Sequence, residues 1–177
     1  MAEAQAHGFA EPDPTYDVEG YDTAHKTAIL ASLAFQQDVR FADVFVEGIR
    51  PLKPTDIENA SKLGYTIKLL GIALRDPKDG RVEVRVHPTL IHKTSLLANV
   101  SGVFNAVLVE GDLVGQTLFY GRGAGQLPTS SAILSDIMTI ASDMIRKVSP
   151  TTEDRLQVKI GEKNIKPVSE LETSYYL

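Results

Sequence analysis

The stretch "YTIKLLGIALRDPKDGRVEVRVHPTL" constrains the fold more tightly than any other part of the chain. Its two arms flank "PKDG", a turn signal ending in Asp79-Gly80, and such a run predicts an antiparallel hairpin. In the second arm Val82, Val84 and Val86 alternate with Glu83, Arg85 and His87. A period of two sends the valines to one face and the polar residues to the other, so one face is expected buried and one wet. A second pair follows, "VFNAVLVE" and "LVGQTLFY" around Gly111-Asp112, and predicts another hairpin. Between the hairpins "TSLLANVSG" predicts a helical turn or a short helix.

Helical periodicity brackets the hairpins. Gly20 precedes a run with Tyr21, Ala24, Ala28, Leu30, Ala31, Leu33, Ala34 and Phe35, which predicts a helix of about four turns. "FADVFVEGIRPL" predicts a strand near residues 44–46 and then a turn. "KPTDIENASKLG" predicts a short helix, capped by Thr55 with Glu58 completing the capping box, and ended by Gly64. The last clear element is "PTSSAILSDIMTIASDMIRKV", where Pro128 suits a first turn and Ala132, Ile133, Ile137, Ile140, Ala141, Met144 and Ile145 make an apolar face. Residues 149–177 turn polar and read as a linker with little core of its own. The order helix, strand, helix, hairpin, hairpin, helix predicts an α+β fold, an antiparallel-rich mixed sheet with helices packed on one face. Strict βαβ alternation, the mark of a doubly wound nucleotide domain, is missing.

Bulk properties narrow the function. A chain of 177 residues fits one domain with a substantial core. A net charge of −5 argues against general nucleic-acid binding, because phosphate neutralisation needs excess Lys and Arg. No apolar run approaches membrane-spanning length, and no signal-peptide layout opens the chain. Zero cysteines exclude disulfides, thiolate metal sites and a cysteine nucleophile. The default setting is cytoplasmic.

The chemistry concentrates in "AEPDPTYDVEGYDTAHK", which carries Glu11, Asp13, Asp17, Glu19 and Asp22. Asp22 and Lys26 stand four apart on the predicted helix, which suits a surface ion pair and equally an acid/base couple aimed the same way. Glu11, Asp13 and Asp17 precede the helix and can complement its dipole or cap it. Pro12 and Pro14 stiffen the segment, so it also suits a cradle for an ammonium group or, through carboxylate oxygens, a divalent cation. In "YGRGAGQLPTSSAIL" three glycines between strand and helix allow close backbone approach, and the helix start offers free N–H groups. Tight strand–helix packing explains the same glycines. His7, His25, His87 and His92 show no ligand spacing, and no metal is assigned to them.

Taken together, these stretches resemble the catalytic domain of homoserine dehydrogenases. "AQAHGFAEPDPTYDVEGYDTAHKTAILASLAF" is similar to the family signature, with Phe9 where tyrosine is commoner, and "FVEGI", "NAVLVEGD" and "YGRGAGQLPTSSAILSDI" follow in family order. The resemblance implies an NAD(P)-dependent oxidoreductase that interconverts L-aspartate-4-semialdehyde and L-homoserine, on the route to threonine, methionine and isoleucine. It implies Lys26 as proton donor and acceptor at the substrate oxygen, with Asp22 orienting the substrate. Glu11 would grip the α-ammonium, supported by Asp17. Gly123, Ala124, Gly125 and Thr129 would face the cofactor. It further implies a homodimer or higher homo-oligomer, with residues 1–148 as catalytic and dimerisation domain and residues 149–177 as linker towards a regulatory domain.

The family's Rossmann domain, which binds most of the NAD(P), has no counterpart in the sequence, so the chain is expected to be a central piece with Met1 as a cloning start. The apolar face of the last helix is then expected to be the one that partly meets that domain. Two other functions compete: a non-catalytic dimerisation module whose acidic loop is only a helix cap, and a carboxylate metal site, which calorimetry with Mg²⁺ or Ca²⁺ would reveal. The purified 177-residue chain is expected to show no turnover of homoserine; NADPH-dependent turnover in a spectrophotometric assay would overturn that expectation.

Overall fold

Valines at every second position of one strand demand an apolar cover, and a helix rich in small residues supplies it. The computed structural model describes residues 13–147, 161–171 and 173. In chain order the elements are α1 (Thr15–Val18), α2 (Tyr21–Phe35), β1 (Phe45–Val46), α3 (Pro54–Lys62), β2 (Tyr65–Arg75), β3 (Val82–His92), β4 (Phe104–Gly111), β5 (Gly115–Arg122) and α4 (Gln126–Arg146). Single 3₁₀ turns occupy Phe41–Asp43, Leu96–Asn99 and Val168–Glu170.

The first hairpin is β2–β3, antiparallel and in register from Tyr65 opposite His92 to Arg75 opposite Val82. β1 pairs in parallel with β3 at Arg85 and Val86, giving a mixed sheet in the order β1-β3-β2. The valine face is covered by α2: Val82, Val84 and Val86 form one core with Ala24, Ala28 and Ala31, and Leu69, Ala73 and Val46 pack at its margin. Small residues let the helix come close. A Cβ on Gly71 would stand 1.9 Å from Thr27 Oγ1, which itself donates to Thr23 O at 2.7 Å.

The α+β class and both hairpins stand as expected from sequence, with four corrections. The second hairpin, β4–β5, does not join the main sheet; it forms a two-stranded ribbon of its own. The polar face of β3 is not wet. Arg85 pairs with Glu83 and donates from Nε to His87 Nε2 at 3.1 Å, and both members of the ion pair are largely buried. Leu70 and Ile72 stand opposite His87 and Arg85 on that face, as apolar cross-strand neighbours. The cap of α3 is neither Thr55 nor Glu58: the helix starts at Pro54, and the Asp56 carboxylate accepts from Lys53 N at 2.8 Å. Proline has no N–H to satisfy and a helical φ, so it opens the helix two residues earlier and shifts the capping offset onto Asp56. Fourthly, residues 161–171 are attached to the main sheet. Val82 N donates to Asn164 O and Lys166 N to Val82 O, each at 2.9 Å, and Ile165 packs on the core. Residues 149–160, 172 and 174–177 of the expected linker lie outside the described residues.

The ribbon carries α4, whose residues are all exposed or half-buried. Ile137 is 57% and Met144 74% exposed, on the face the sequence marks as apolar. Uncovered apolar area of this kind drives association. In sedimentation velocity the chain is therefore expected to self-associate with rising concentration; a strictly monomeric chain would count against it. Closer to the core, Gly71→Ala is expected to cost about 1–3 kcal/mol in urea unfolding through overpacking. Adding Thr27→Ala should recover most of that loss, because it removes the atom that the new Cβ meets.

Candidate active site

The acidic stretch is held in place by backbone geometry before any side chain acts. α1 is a single turn whose first N–H and hydroxyl, both of Thr15, donate to Asp13 Oδ1 at 3.1 and 2.6 Å. Those two bonds hold the Asp13 carboxyl below its ordinary value. Gly20 then turns the chain into α2 with φ +79°, a left-handed conformation that side chains resist. It is buried, and a Cβ there would stand 3.1 Å from Val86 Cγ1. The loop is braced from outside by the turn after β1. Ile49 N donates to Val18 O at 2.8 Å, and a Cβ on Gly48 would stand 2.5 Å from the same oxygen. Arg50 Nε meets Glu19 Oε1 at 2.5 Å.

On α2 the inner face is Ala24, Thr27, Ala28 and Ala31, so Asp22 and Lys26 point away from the core. Lys26 Nζ stands 2.6 Å from Asp22 Oδ2, with side chains 61% and 45% exposed. An ammonium held in this way can pass a proton to an oxygen placed beside it. A row of rings flanks the pair: Tyr16 edge-on to Tyr21, Tyr21 edge-on to Phe41, and Phe41 stacked on His25 with centroids 4.4 Å apart.

Of the residues singled out in the sequence, Asp22 and Lys26 are in direct contact, and Asp17 is exposed on α1 just ahead of them. Glu11 lies outside the described residues. Gly123, Ala124, Gly125 and Thr129 belong to the other unit, at the junction of β5 and α4. There Gly123 N donates to Val103 O at 2.9 Å, and Gly125 enters α4 at φ +124°. No side chain caps α4, and Pro128 has no N–H, so the N–H groups of Gln126 and Leu127 are the ones its first turn offers to a polar group.

Sequence reasoning missed several supporting residues. Gly48 and Arg50 sit in or beside "FVEGI", where a glycine straight after a strand was the available signal. Asn105, in "NAVLVEGD", places its carboxamide over Gly123: a Cβ on that glycine would fall 1.3 Å from Asn105 Nδ2. Phe41 carries no sequence signal at all, because its stacking on His25 is a tertiary contact. Among the described residues no three His, Asp or Glu side chains converge to hold a metal ion, and no helix is long and apolar enough to cross a membrane.

Comparison with known proteins bears on this geometry. A sequence profile described as homoserine dehydrogenase matches residues 1–138. A homoserine dehydrogenase of Neisseria gonorrhoeae is 48% identical over 181 residues, covering 100% of this chain and 41% of its own length. Its counterpart in Helicobacter pylori is 45% identical over 176 residues, covering 99% of this chain and 40% of its own length. The crystal structure of a homoserine dehydrogenase from Thiobacillus denitrificans superposes with a TM-score of 0.83 at 44% identity, covering 94% of this chain and 39% of that one. The chain thus spans about two-fifths of the length of these relatives. With a profile over most of its residues, and identity near one half along its whole length, the chain belongs to the homoserine dehydrogenase family.

Proposed function

We propose that the chain supplies the substrate-binding and proton-transfer part of an NAD(P)-dependent homoserine dehydrogenase, which interconverts L-aspartate-4-semialdehyde and L-homoserine. The observation that carries this reading is the Lys26–Asp22 contact of 2.6 Å, solvent-facing on a helix seated firmly on the sheet. The substrates are zwitterionic at one end and carry an aldehyde or alcohol at the other. A hydride reaching the aldehyde carbon leaves negative charge on its oxygen. The Lys26 ammonium stabilises that oxygen and gives it a proton; in the other direction the neutral amine takes the proton back. Asp22 holds the ammonium in place and orients the substrate. Glu11 and Asp17 take the α-ammonium by charge and hydrogen bonding.

The dinucleotide supplies and accepts the hydride. On this chain Gly123, Ala124, Gly125 and Thr129 are the residues offered to it. Their fit rests on the uncapped start of α4, whose open N–H groups suit a polar cofactor edge. The larger part of the cofactor site is assigned to sequence outside this chain. A role in threonine, methionine and isoleucine synthesis, a cytoplasmic setting and a homodimer or higher homo-oligomer belong to the same reading and rest on family membership.

One observation favours the competing, non-catalytic reading. The ribbon and α4 display apolar surface fit for an interface, although no carboxylate of the acidic loop caps α2, whose N-cap is Gly20. The two readings separate on mutation. An exposed i,i+4 pair contributes only about 0.3–0.5 kcal/mol, so Lys26→Ala should barely move the unfolding midpoint. In a full-length enzyme carrying this sequence, the same change should lower kcat by about 10²–10⁴-fold, the usual worth of a positioned acid/base. Glu11→Ala should chiefly raise KM for homoserine. Undiminished turnover in both variants would end the catalytic assignment.

A further inference from the structure

Residues 161–171 lie across the end of α2 and the Phe41–Asp43 turn, and the way they are fastened sets them apart from the rest of the fold. Their backbone pairs with β3 at Val82 alone, whereas β2 pairs with β3 along its whole length. Other anchors gather at the far end of α2. Gly161 N donates to Gln36 O at 2.8 Å, and Asn164 N donates to the side-chain oxygen of Gln37 at 3.0 Å. Lys163 pairs with Asp43, whose carboxylate is 9% exposed and also accepts from Arg40 N at 2.9 Å. Burial pushes the Asp43 carboxyl up, but the Lys163 and Arg40 hydrogen bonds with their charges outweigh it and hold it below its ordinary value. Further along, Lys166 meets Asp76 at 2.9 Å and Arg81 meets Glu170 at 2.8 Å. Of the apolar side chains in the segment, Ile165 packs on the core.

The anchors at Gln36, Gln37 and Asp43 bracket Phe41, the ring stacked on His25, and His25 directly precedes Lys26. We propose that residues 161–171 are a releasable clasp that regulates the Lys26 site by holding the Phe41–His25 stack in place. Seated, the clasp fixes the Phe41–Asp43 turn through Asp43 and the end of α2 through Gln36 and Gln37. Released, it leaves the Asp43 carboxylate with the Arg40 amide alone and the Gln37 side chain without Asn164, so the turn loosens and the ring leaves the imidazole. Two isolated bridges and three ion pairs, in which Lys163 and Glu170 are the exposed partners, open more readily than the continuous ladder of β2 on β3, which makes release a local event. Whatever draws the segment away then acts on the site from a distance. The regulatory part of this proposal rests on Lys26 being the proton-transfer residue; the mechanical part does not.

Residue-resolved hydrogen exchange and imidazole proton shifts on the 177-residue chain test the mechanical part. The amides of Gly161, Asn164 and Lys166 should exchange at least about tenfold faster than those of β2–β3. Lys163→Met should raise exchange at Asp43 and Val44 by about fivefold or more and move the His25 ring protons towards their unstacked shifts, and Lys163→Arg should restore both. If the segment exchanges in one unit with β2–β3, or if Lys163→Met leaves His25 unchanged, the clasp is overturned. In the full-length enzyme Lys163→Met should change kcat more than KM. An unchanged kcat, where Lys26→Ala abolishes turnover, removes the regulatory role and leaves the function standing. No effect of Lys26→Ala removes the function, while the exchange data still decide the clasp.

Discussion

The seat of α2 on the valine face of β3 is the contact on which everything else depends. Ala24, Ala28 and Ala31 face Val82, Val84 and Val86, and Gly71 admits the hydroxyl of Thr27 at a distance no side chain would allow. Small-on-β-branched packing brings helix and sheet close enough to exclude water with few large side chains. The same choice of residues fixes the rotation of the helix. With alanines inward, positions 22 and 26 can only face outward, so the orientation of the Asp22–Lys26 pair follows from the core. Gly20 and Gly48 complete the arrangement from the N-terminal side. One is buried against Val86, and the other lets the turn after β1 rest on the backbone of the acidic loop.

The carboxylates that make the opening stretch conspicuous divide into separate duties. Asp13 is committed to the first turn of α1 and Glu19 to Arg50, while Asp22 meets Lys26. A loop so acidic would repel itself if every group faced one point. Drawing Glu19 sideways to a guanidinium and Asp13 back to Thr15 lowers that repulsion and leaves Asp17 exposed beside the Lys26 helix. On the proposed function that suits a cradle for a single ammonium, which needs few anionic groups in reach.

Local periodicity made much of this legible. The alternation of Val82, Val84 and Val86 marks a one-sided strand, the alanine spacing marks α2, and the Ile137–Met144 stripe marks α4; all three patterns arise within an element. The Asp22–Lys26 contact was legible for the same reason, as a four-residue helical step. What escaped depends on partners far away in the chain. The Arg85–Glu83 pair is largely buried beside β2, which no alternation rule reports. Phe41 acquires meaning only from His25, and residues 161–171 look like a linker because their one core residue, Ile165, is set among charges whose partners are Asp43, Asp76 and Arg81. The start of α3 failed differently: two capping registers were available, and the fixed φ of Pro54 selected Asp56.

The exposure of Lys26 bears on how the proposed reaction proceeds. An alkoxide formed beside an ammonium in open water gains little, because solvent screens the pair and supplies protons of its own. With 61% of its side chain exposed, Lys26 needs a cover for its charge to act strongly. The outward face of α2 continues past it as Ile29, Leu30 and Leu33, all exposed, and α4 shows a second apolar stripe beside the glycine turn. Apolar residues around an ionic pair are costly to leave in solvent and useful once a surface closes on them, since they lower the local dielectric where the proton moves. On the proposed function, then, the exposed apolar residues of α2 beside Lys26 are one wall of a site that becomes dry when the dinucleotide-bearing part of the enzyme meets this chain.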